Sequence, residues 1–511
     1  MNNKITRRDF LKLAGLLPLS VAAPGLDAYF PPSKQTGKSK NIIIVVFDAF
    51  SANNMSLYGY RRETTPNLAR LAERAVVYHN HYAGGNFTAP GTASLLTGTL
   101  PWKHRSFKFG KKPVADTYVE KNLFTAFQKY YRLAYSHNQV ANRLIFQLSE
   151  NLDDYIPSGR LFLTNNNLIE KLFWEDEDIA TVSWVRTIKT KEEGFAYSLF
   201  LSHLYKLNRE KEIRNILAQF PRGLPSVAGD NYFLLEDAVD WLSEKLDILP
   251  QPFIGYFHFM PPHRPYHTHQ EFYSQFLNDN LIEKRKSLDL NFISQGFRYS
   301  SALKTHTNYD EFILYVDREF GRLIDYLDSS GALENTWVVL TSDHGEMFER
   351  GVIGHITPLL YEPVVRIPLM IFEPGRKKRM DVHMPTSAID VLPTLLHVTG
   401  QPRAGWTEGI VLPPFSISSG AEERSVFIVE AKKNDKYSPL TIATVAMIRE
   451  NYKLMYFFGY NELSGKERIE LYDVENDPEE LNNLYNVKGE TASDMFHELK
   501  TKLAEVDEPF L

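Results

Sequence analysis

Two rhythms of apolar residues run through the chain. At Asn41–Phe47, 252–260 and 336–340 nearly every position is apolar, and the first run is largely β-branched. A strand covered on one face alternates apolar with polar, so an unbroken run predicts a strand buried on both faces, as in a parallel sheet. Elsewhere the spacing is helical. Leu68, Leu71 and Ala72 mark a helix over 67–75, and Phe312, Ile313, Val316, Phe320, Leu323, Ile324 and Leu327 mark one over 309–327. Thr88 opens a turn into a shorter helix, with Pro90 near its start, where proline is tolerated best. Strands alternating with helices predict an α/β fold whose mainly parallel central sheet is sandwiched by helices.

After Gly400 the pattern shortens. Residues 425–430, 444–449 and 452–458 predict antiparallel strands, and 492–506 a final helix, together a smaller C-terminal α+β subdomain. The expected division is a catalytic domain over 41–400 and this subdomain over 401–511. The stretch from about 110 to 250 is read as mostly helical and offers no motif. Residues 29–40, with Pro31, Pro32 and Gly37, have the composition of a linker.

The first residues carry a separate signal. Thr6-Arg7-Arg8-Asp9-Phe10-Leu11-Lys12 precedes an apolar run over 13–23, the pattern of a twin-arginine export signal, here assigned to 1–28. The run is short for a finished membrane span. Export to the periplasm, the cell envelope or the exterior is expected, with membrane association if the signal stays uncleaved.

Composition narrows the chemistry. A chain of 511 residues with 43% hydrophobic positions is globular and long enough for more than one core. A net charge of -6 gives no reason to expect a nucleic-acid partner. There is no cysteine, which excludes disulfides, zinc–thiolate sites and a thiol nucleophile. Open α/β sheets bind ligands beyond the carboxyl ends of their strands. Asp48, His263 and Asp343-His344 all follow predicted strands there, and three strand ends delivering carboxylates and imidazoles form the pattern of an active site.

An ordered series of segments carries a resemblance. It comprises Ile43–Asp48 as a run, Leu57-Tyr58-Gly59-Tyr60, Thr65-Pro66-Asn67-Leu68, the turn and helix from Thr88 to Gly98, and the proline-rich loop from His258 to Tyr266. It continues through Gly321-Arg322-Leu323, Ser342-Asp343-His344-Gly345-Glu346, Gly354-His355, Leu360-Tyr361-Glu362, Arg366-Ile367-Pro368-Leu369 and Leu471-Tyr472-Asp473 to Asp477-Pro478. In order and spacing this resembles the sulfatase-like family of the alkaline phosphatase superfamily.

The departures are specific. Where that family's nucleophile turn reads Cys or Ser-x-Pro-x-Arg, this chain has Thr88-Ala89-Pro90-Gly91-Thr92. Threonine cannot become formylglycine, and Thr92 replaces the arginine. Ala49 stands where a second aspartate is usual, and Thr357 where many members carry lysine. These changes resemble the threonine branch of phosphoethanolamine and glycerol-phosphate transferases and phosphodiesterases.

The resemblance implies that Thr88 is the nucleophile. It also implies that Asp48, Thr88, Asp343 and His344 hold one divalent metal. An imidazole among oxygen donors favours Mn or Zn, with Ca or Mg as alternatives. His263 and His355 are expected to bind the transferring group or protonate the leaving oxygen. His258, His104 and Thr92 are expected to line the substrate pocket. The expected activity is cleavage or transfer of phosphate mono- or diesters. A sulfatase without formylglycine and an inactive binder of an anionic glycan or lipid headgroup are the alternatives.

Overall fold

The computed structural model describes residues 40–163, 211, 214–227, 231–279, 281, 286, 299–416 and 424–511. The twin-arginine segment, most of the linker and much of 164–230 lie outside the described residues.

An eight-stranded sheet forms the body. Its strands are β1 (Asn41–Phe47), β2 (Val76–Tyr78), β4 (Tyr131–Ser136), β5 (Asp154–Ile156), β6 (Phe253–Phe259), β7 (Thr336–Thr341), β8 (Leu369–Phe372) and β9 (Met380–Val382), in the order β5-β4-β6-β1-β7-β8-β2-β9. Every pairing is parallel except those made by β8. The short β3 (His81–Tyr82) pairs in parallel with β10 (Thr386–Ser387) beside it.

The apolar run of β1 is explained by what covers it. Ile43, Val45 and Phe47 face a core shared with α1 (Pro66–Ala72), α4 (Leu235–Asp247) and α5 (Tyr299–Ser329). Ile42, Ile44 and Val46 face the opposite core, shared with α2 (Thr88–Thr97), α3 (Gln139–Gln147) and α6 (Val391–Val398). Both faces are dry, so the strand has no use for alternation.

The stretch 110–250 differs from expectation. It contains β4 and β5 as well as helices, and β4 pairs with β6 one strand in from the edge of the sheet. The chain's longest described helix, α5, also runs further than its apolar spacing marked, to 31 residues.

The C-terminal unit is a four-stranded antiparallel sheet of β11 (Val426–Glu430), β12 (Ala443–Arg449), β13 (Tyr452–Phe458) and β14 (Arg468–Asp473). One face packs on α7 (Gly489–Asp507) through Met495 and Leu499. The other packs on Met347, Leu360, Val364 and Val365 of the main body. Among the described residues no helix is long and apolar enough to cross a membrane.

Candidate active site

The central three strands deliver the site. β1 lies between β6 and β7, and β1 runs straight into Asp48, whose backbone N–H bonds Phe259 O of β6 at 3.0 Å. The next residue, Ala49, takes a left-handed φ of 59°, rare for a side chain larger than hydrogen. It is held there by Tyr309, whose hydroxyl donates to Ala49 O at 2.6 Å, and by Asp343 Oδ1, which accepts from Ala49 N at 3.3 Å. Asp343 and His344 follow β7, while His258 sits on β6 in register with Val46.

Four side chains therefore meet at one edge of the sheet. His258 Nε2 lies 3.5 Å from Asp48 Oδ2 and 3.7 Å from Asp343 Oδ2. His344 Nε2 lies 3.4 Å from Asp48 Oδ1 and 3.6 Å from Asp343 Oδ2. Asp48 Oδ1, His258 Nε2 and Asp343 Oδ2 are buried with no hydrogen-bond partner. Among the described residues, Asp48, His258 and Asp343 form the one group whose donor atoms lie within 4.8 Å of one another as a metal site requires. Buried polar atoms are almost always paired, so three orphans converging on one point fit the donor set of a cation. His344 adds a fourth donor. Its Nδ1–H donates to Gly345 O at 2.8 Å, which turns the Nε2 lone pair toward the carboxylates, the usual arrangement of a ligating histidine.

Thr88 reaches this cluster from α2. Phe87, not Thr88, is the helix N-cap, so the Thr88 hydroxyl is not spent on capping. Its Oγ1 lies 3.4 Å from His344 Nε2 and accepts from Asn138 Nδ2 at 3.4 Å. Asn138 caps α3, accepting from Val140 N and Ala141 N, which fixes its amide so that Nδ2 faces Thr88 and also donates to Asp48. α2 can approach this closely because residue 91 is glycine: a Cβ there would stand 2.1 Å from Asp343 O. Thr92, one turn on, is fully buried, with its own hydroxyl unpaired.

His263 and His355 form the outer wall. Their ring centroids are 5.2 Å apart, and His355 lies 4.2 Å from the ring of His344. His355 Nδ1 bonds the buried carboxylate of Glu346 at 3.0 Å, and Tyr266 OH donates to the other Glu346 oxygen at 2.9 Å. Asn86 Nδ2 donates to the backbone oxygens of His355 and Thr357, at 2.8 and 2.6 Å.

The electrostatics point the same way. Burial opposes charge on Asp48, but His263, His258 and His344 together outweigh it and hold the carboxyl well below the usual range. Burial and the charge of Asp48 push Asp343 up. Burial opposes charge on His344 too, yet Asp343 and Asp48 raise it to about 9. Two carboxylates this close ionise together only beside positive charge, which a divalent cation supplies. On the outer wall, burial draws His355 down to about 4 against the pull of Glu346. Burial would raise Glu346, but His355 and its neighbours carry it down to about 2. Both directions describe a carboxylate accepting from a neutral imidazole near neutral pH.

Of the residues singled out in the sequence, Asp48, Thr88, Asp343, His344, His263 and His355 come together. His258 stands with Asp48 and Asp343 in the group that could hold a metal instead of on the pocket wall. His104 does not line the pocket: it is fully buried, accepts from Ser106 N and pairs with Ser94 Oγ, and so braces α2 from behind. Glu346 was not among the expected site residues, and Asn138, on sequence alone a candidate for the substrate pocket, stands between Thr88 and Asp48. Glu346 lies inside the Asp343-His344-Gly345-Glu346 run, but its partner is set by a later turn.

The family model described as Sulfatase matches residues 40–401. The chain belongs to the sulfatase family. A second model, N-sulphoglucosamine sulphohydrolase, C-terminal, matches residues 357–509. Among curated relatives, a choline-sulfatase of Rhizobium meliloti is 25% identical over 474 residues, spanning 88% of this chain and 83% of its own. An N-acetylglucosamine-6-O-sulfatase of Bacteroides thetaiotaomicron is 24% identical over 514 residues, spanning 92% and 86%. Among solved structures, a phosphonate monoester hydrolase of Agrobacterium radiobacter superposes with a TM-score of 0.65 at 17% identity, covering 92% of this chain and 96% of its own. This sulfatase-family chain is an ester hydrolase by class, with the mostly parallel sheet and C-terminal sheet of that fold.

Proposed function

We propose that this sulfatase-family hydrolase cleaves phosphate mono- or diesters, or transfers their phosphoryl group, with Thr88 as nucleophile. The observation that carries this is Thr88 Oγ1 at 3.4 Å from His344 Nε2, beside three orphaned donor atoms. Asp48, His258, Asp343 and His344 would hold one divalent metal, with Mn or Zn suited to two imidazoles and two carboxylates. When bound, such an ion favours the deprotonated form of a hydroxyl and neutralises charge on the ester.

The chain's own groups do the rest. Asn138 aims the Thr88 oxygen, which gives its proton to solvent and attacks phosphorus. The ester oxygen departs with the electron pair of its bond and takes a proton from the histidine side, where His263 stands half-exposed. The N-terminus of α2 favours the anionic group at Thr88. A threonine ester of sulfate lacks the exit that formylglycine gives, which favours phosphorus over sulfur. The sulfatase names of the curated relatives favour the sulfate reading, and it stands second.

The test is a panel of 4-nitrophenyl phosphate, bis(4-nitrophenyl) phosphate, 4-nitrophenyl phenylphosphonate and 4-nitrophenyl sulfate, each with Mn, Zn, Mg and Ca. Turnover of phosphorus esters that requires Mn or Zn and disappears in Thr88→Ala is expected. Sulfate turnover that survives Thr88→Ala would overturn the assignment.

A further inference from the structure

Glu346 has no task in the reaction as written, yet it is fully buried beside the site. A carboxylate is rarely buried without a partner that uses its charge. Its Oε1 accepts from His355 Nδ1 at 3.0 Å and its Oε2 from Tyr266 OH at 2.9 Å. The fold is arranged to make the first contact. Gly354, at φ +106°, turns the chain so that His355 comes back onto Glu346, and a Cβ there would press within 3.3 Å of Arg264 Nη2. Asn86 pins the same loop through His355 O at 2.8 Å. The ring of His355 is thus fixed from the backbone and from Nδ1, and Nε2 is left as its one open nitrogen.

We infer that Glu346 and His355 form a carboxylate–imidazole dyad that accepts the proton of the water cleaving the phospho-Thr88 ester. This rests on Thr88 being the nucleophile. Glu346 is the positioning residue: it fixes the Nδ1–H tautomer and stabilises the imidazolium that forms, as the carboxylate does in a serine-protease triad. Water oxygen bonds to phosphorus, and one water proton passes to His355 Nε2. The P–Oγ1 bond breaks with its electron pair on Thr88 Oγ1, which regains a proton from the imidazolium. His355 stands one ring away from Thr88: its ring lies 4.2 Å from that of His344, whose Nε2 is 3.4 Å from Thr88 Oγ1.

The experiment is rapid-mixing kinetics on full-length, Mn-loaded protein with whichever 4-nitrophenyl phosphorus ester of the panel is turned over fastest. Glu346→Gln keeps the shape and the acceptor for Tyr266 but not the charge. It is expected to retain the nitrophenol burst while the steady-state rate falls roughly a hundredfold, within the range for lost general-base catalysis. A phosphoryl adduct on Thr88 should then accumulate by intact mass. His355→Gln should behave alike, and the double variant should be no slower than either single one, since the two act as a unit. The burst itself certifies a folded site. An unchanged steady-state rate in Glu346→Gln, a burst that falls in step with it or is lost from both single variants, or additive losses in the double variant would overturn the dyad. Turnover surviving Thr88→Ala would overturn the nucleophile instead, so the two failures are distinct.

Discussion

Asn138 carries two tasks with one amide. Its oxygen accepts from two N–H groups at the start of α3, and its nitrogen donates to Thr88 and Asp48. Asn138→Ser keeps a capping oxygen and loses the donor without setting another charge against Asp48. The expected result is near-normal thermal stability of the metal-loaded protein with kcat lowered about tenfold to a hundredfold, the worth of one hydrogen bond to a charged group. Steady-state kinetics alongside a melting curve checks this; equal losses in both would mean the cap is what matters. His104 makes a different prediction. Burial draws it down to about 3, so the folded protein keeps it neutral while the unfolded chain protonates it below its ordinary 6.5. Between those values the unfolded state binds more protons, and stability is lost as pH falls, by up to about 1.4 kcal/mol per pH unit for one histidine. His104→Gln should therefore flatten the decline in urea stability measured from pH 7 to pH 5. An unchanged slope would show that His104 is protonated in the folded state. At this scale the sequence was legible where chemistry sits at a strand end, as with Asp48 and Asp343-His344. For His258, inside an apolar strand, a place at the site was legible but a place beside the two carboxylates was not. Its donor role depends on β6 pairing with β1 in the register that sets His258 opposite Val46.

At the scale of elements, the site is a meeting of strand ends with the tip of one helix, and the close approach of that helix is the sensitive joint. α2 is buried along its whole length, so no amphipathic pattern announced which way it faced. Its position is set by Gly91 against the backbone of Asp343 and by Gly84 against Ser94. Gly91→Ala places a methyl carbon 2.1 Å from Asp343 O, which forces the helix or the β7 turn to move. Overpacking of this kind costs about 1–3 kcal/mol. Because the displaced groups are Thr88 on one side and Asp343 on the other, catalysis and metal retention should suffer more than folding. Metal analysis after gel filtration, with activity on the same fractions, would check it; a variant with full metal and full rate would mean the contact relaxes harmlessly. The strands that escaped notice fail for a related reason. β4 reads Tyr-Arg-Leu-Ala-Tyr-Ser, with an arginine and a serine in a short segment, and only its pairing between β5 and β6 makes it a strand of the main sheet. The long apolar runs were legible because burial on both faces leaves a strand no other composition.

Across the whole molecule, the C-terminal sheet is more than an appendage. Its inner face covers Met347, Leu359, Leu360 and Val364, which flank the loop carrying His355. At the seam sits a buried group of charges. Lys453 of β13, fully inaccessible, donates to Glu362 Oε1 at 3.0 Å and to Glu480 Oε1 at 2.8 Å. Glu480 Oε2 in turn accepts from Glu362 N at 2.9 Å and lies 3.7 Å from Arg350 Nε. Arg350 and Glu362 belong to the main body, Lys453 and Glu480 to the C-terminal unit, so the seam is tied by charge where apolar packing alone would give no register. A buried ion pair adds little net stability when complete, but removing one member strands the rest. Lys453→Met leaves two carboxylates in the seam with Arg350 and, beside Glu480, Lys286 as the cations near them. The expected loss is about 3–5 kcal/mol in urea denaturation. Adding Glu480→Gln to that variant removes one stranded charge and should recover part of it. The site should register the change as well, since the seam bears on 347–365: limited proteolysis within that segment should quicken in Lys453→Met. A loss below about 1 kcal/mol, the scale of an exposed pair, would mean that water enters the seam and that packing, not the lysine, holds the two units together.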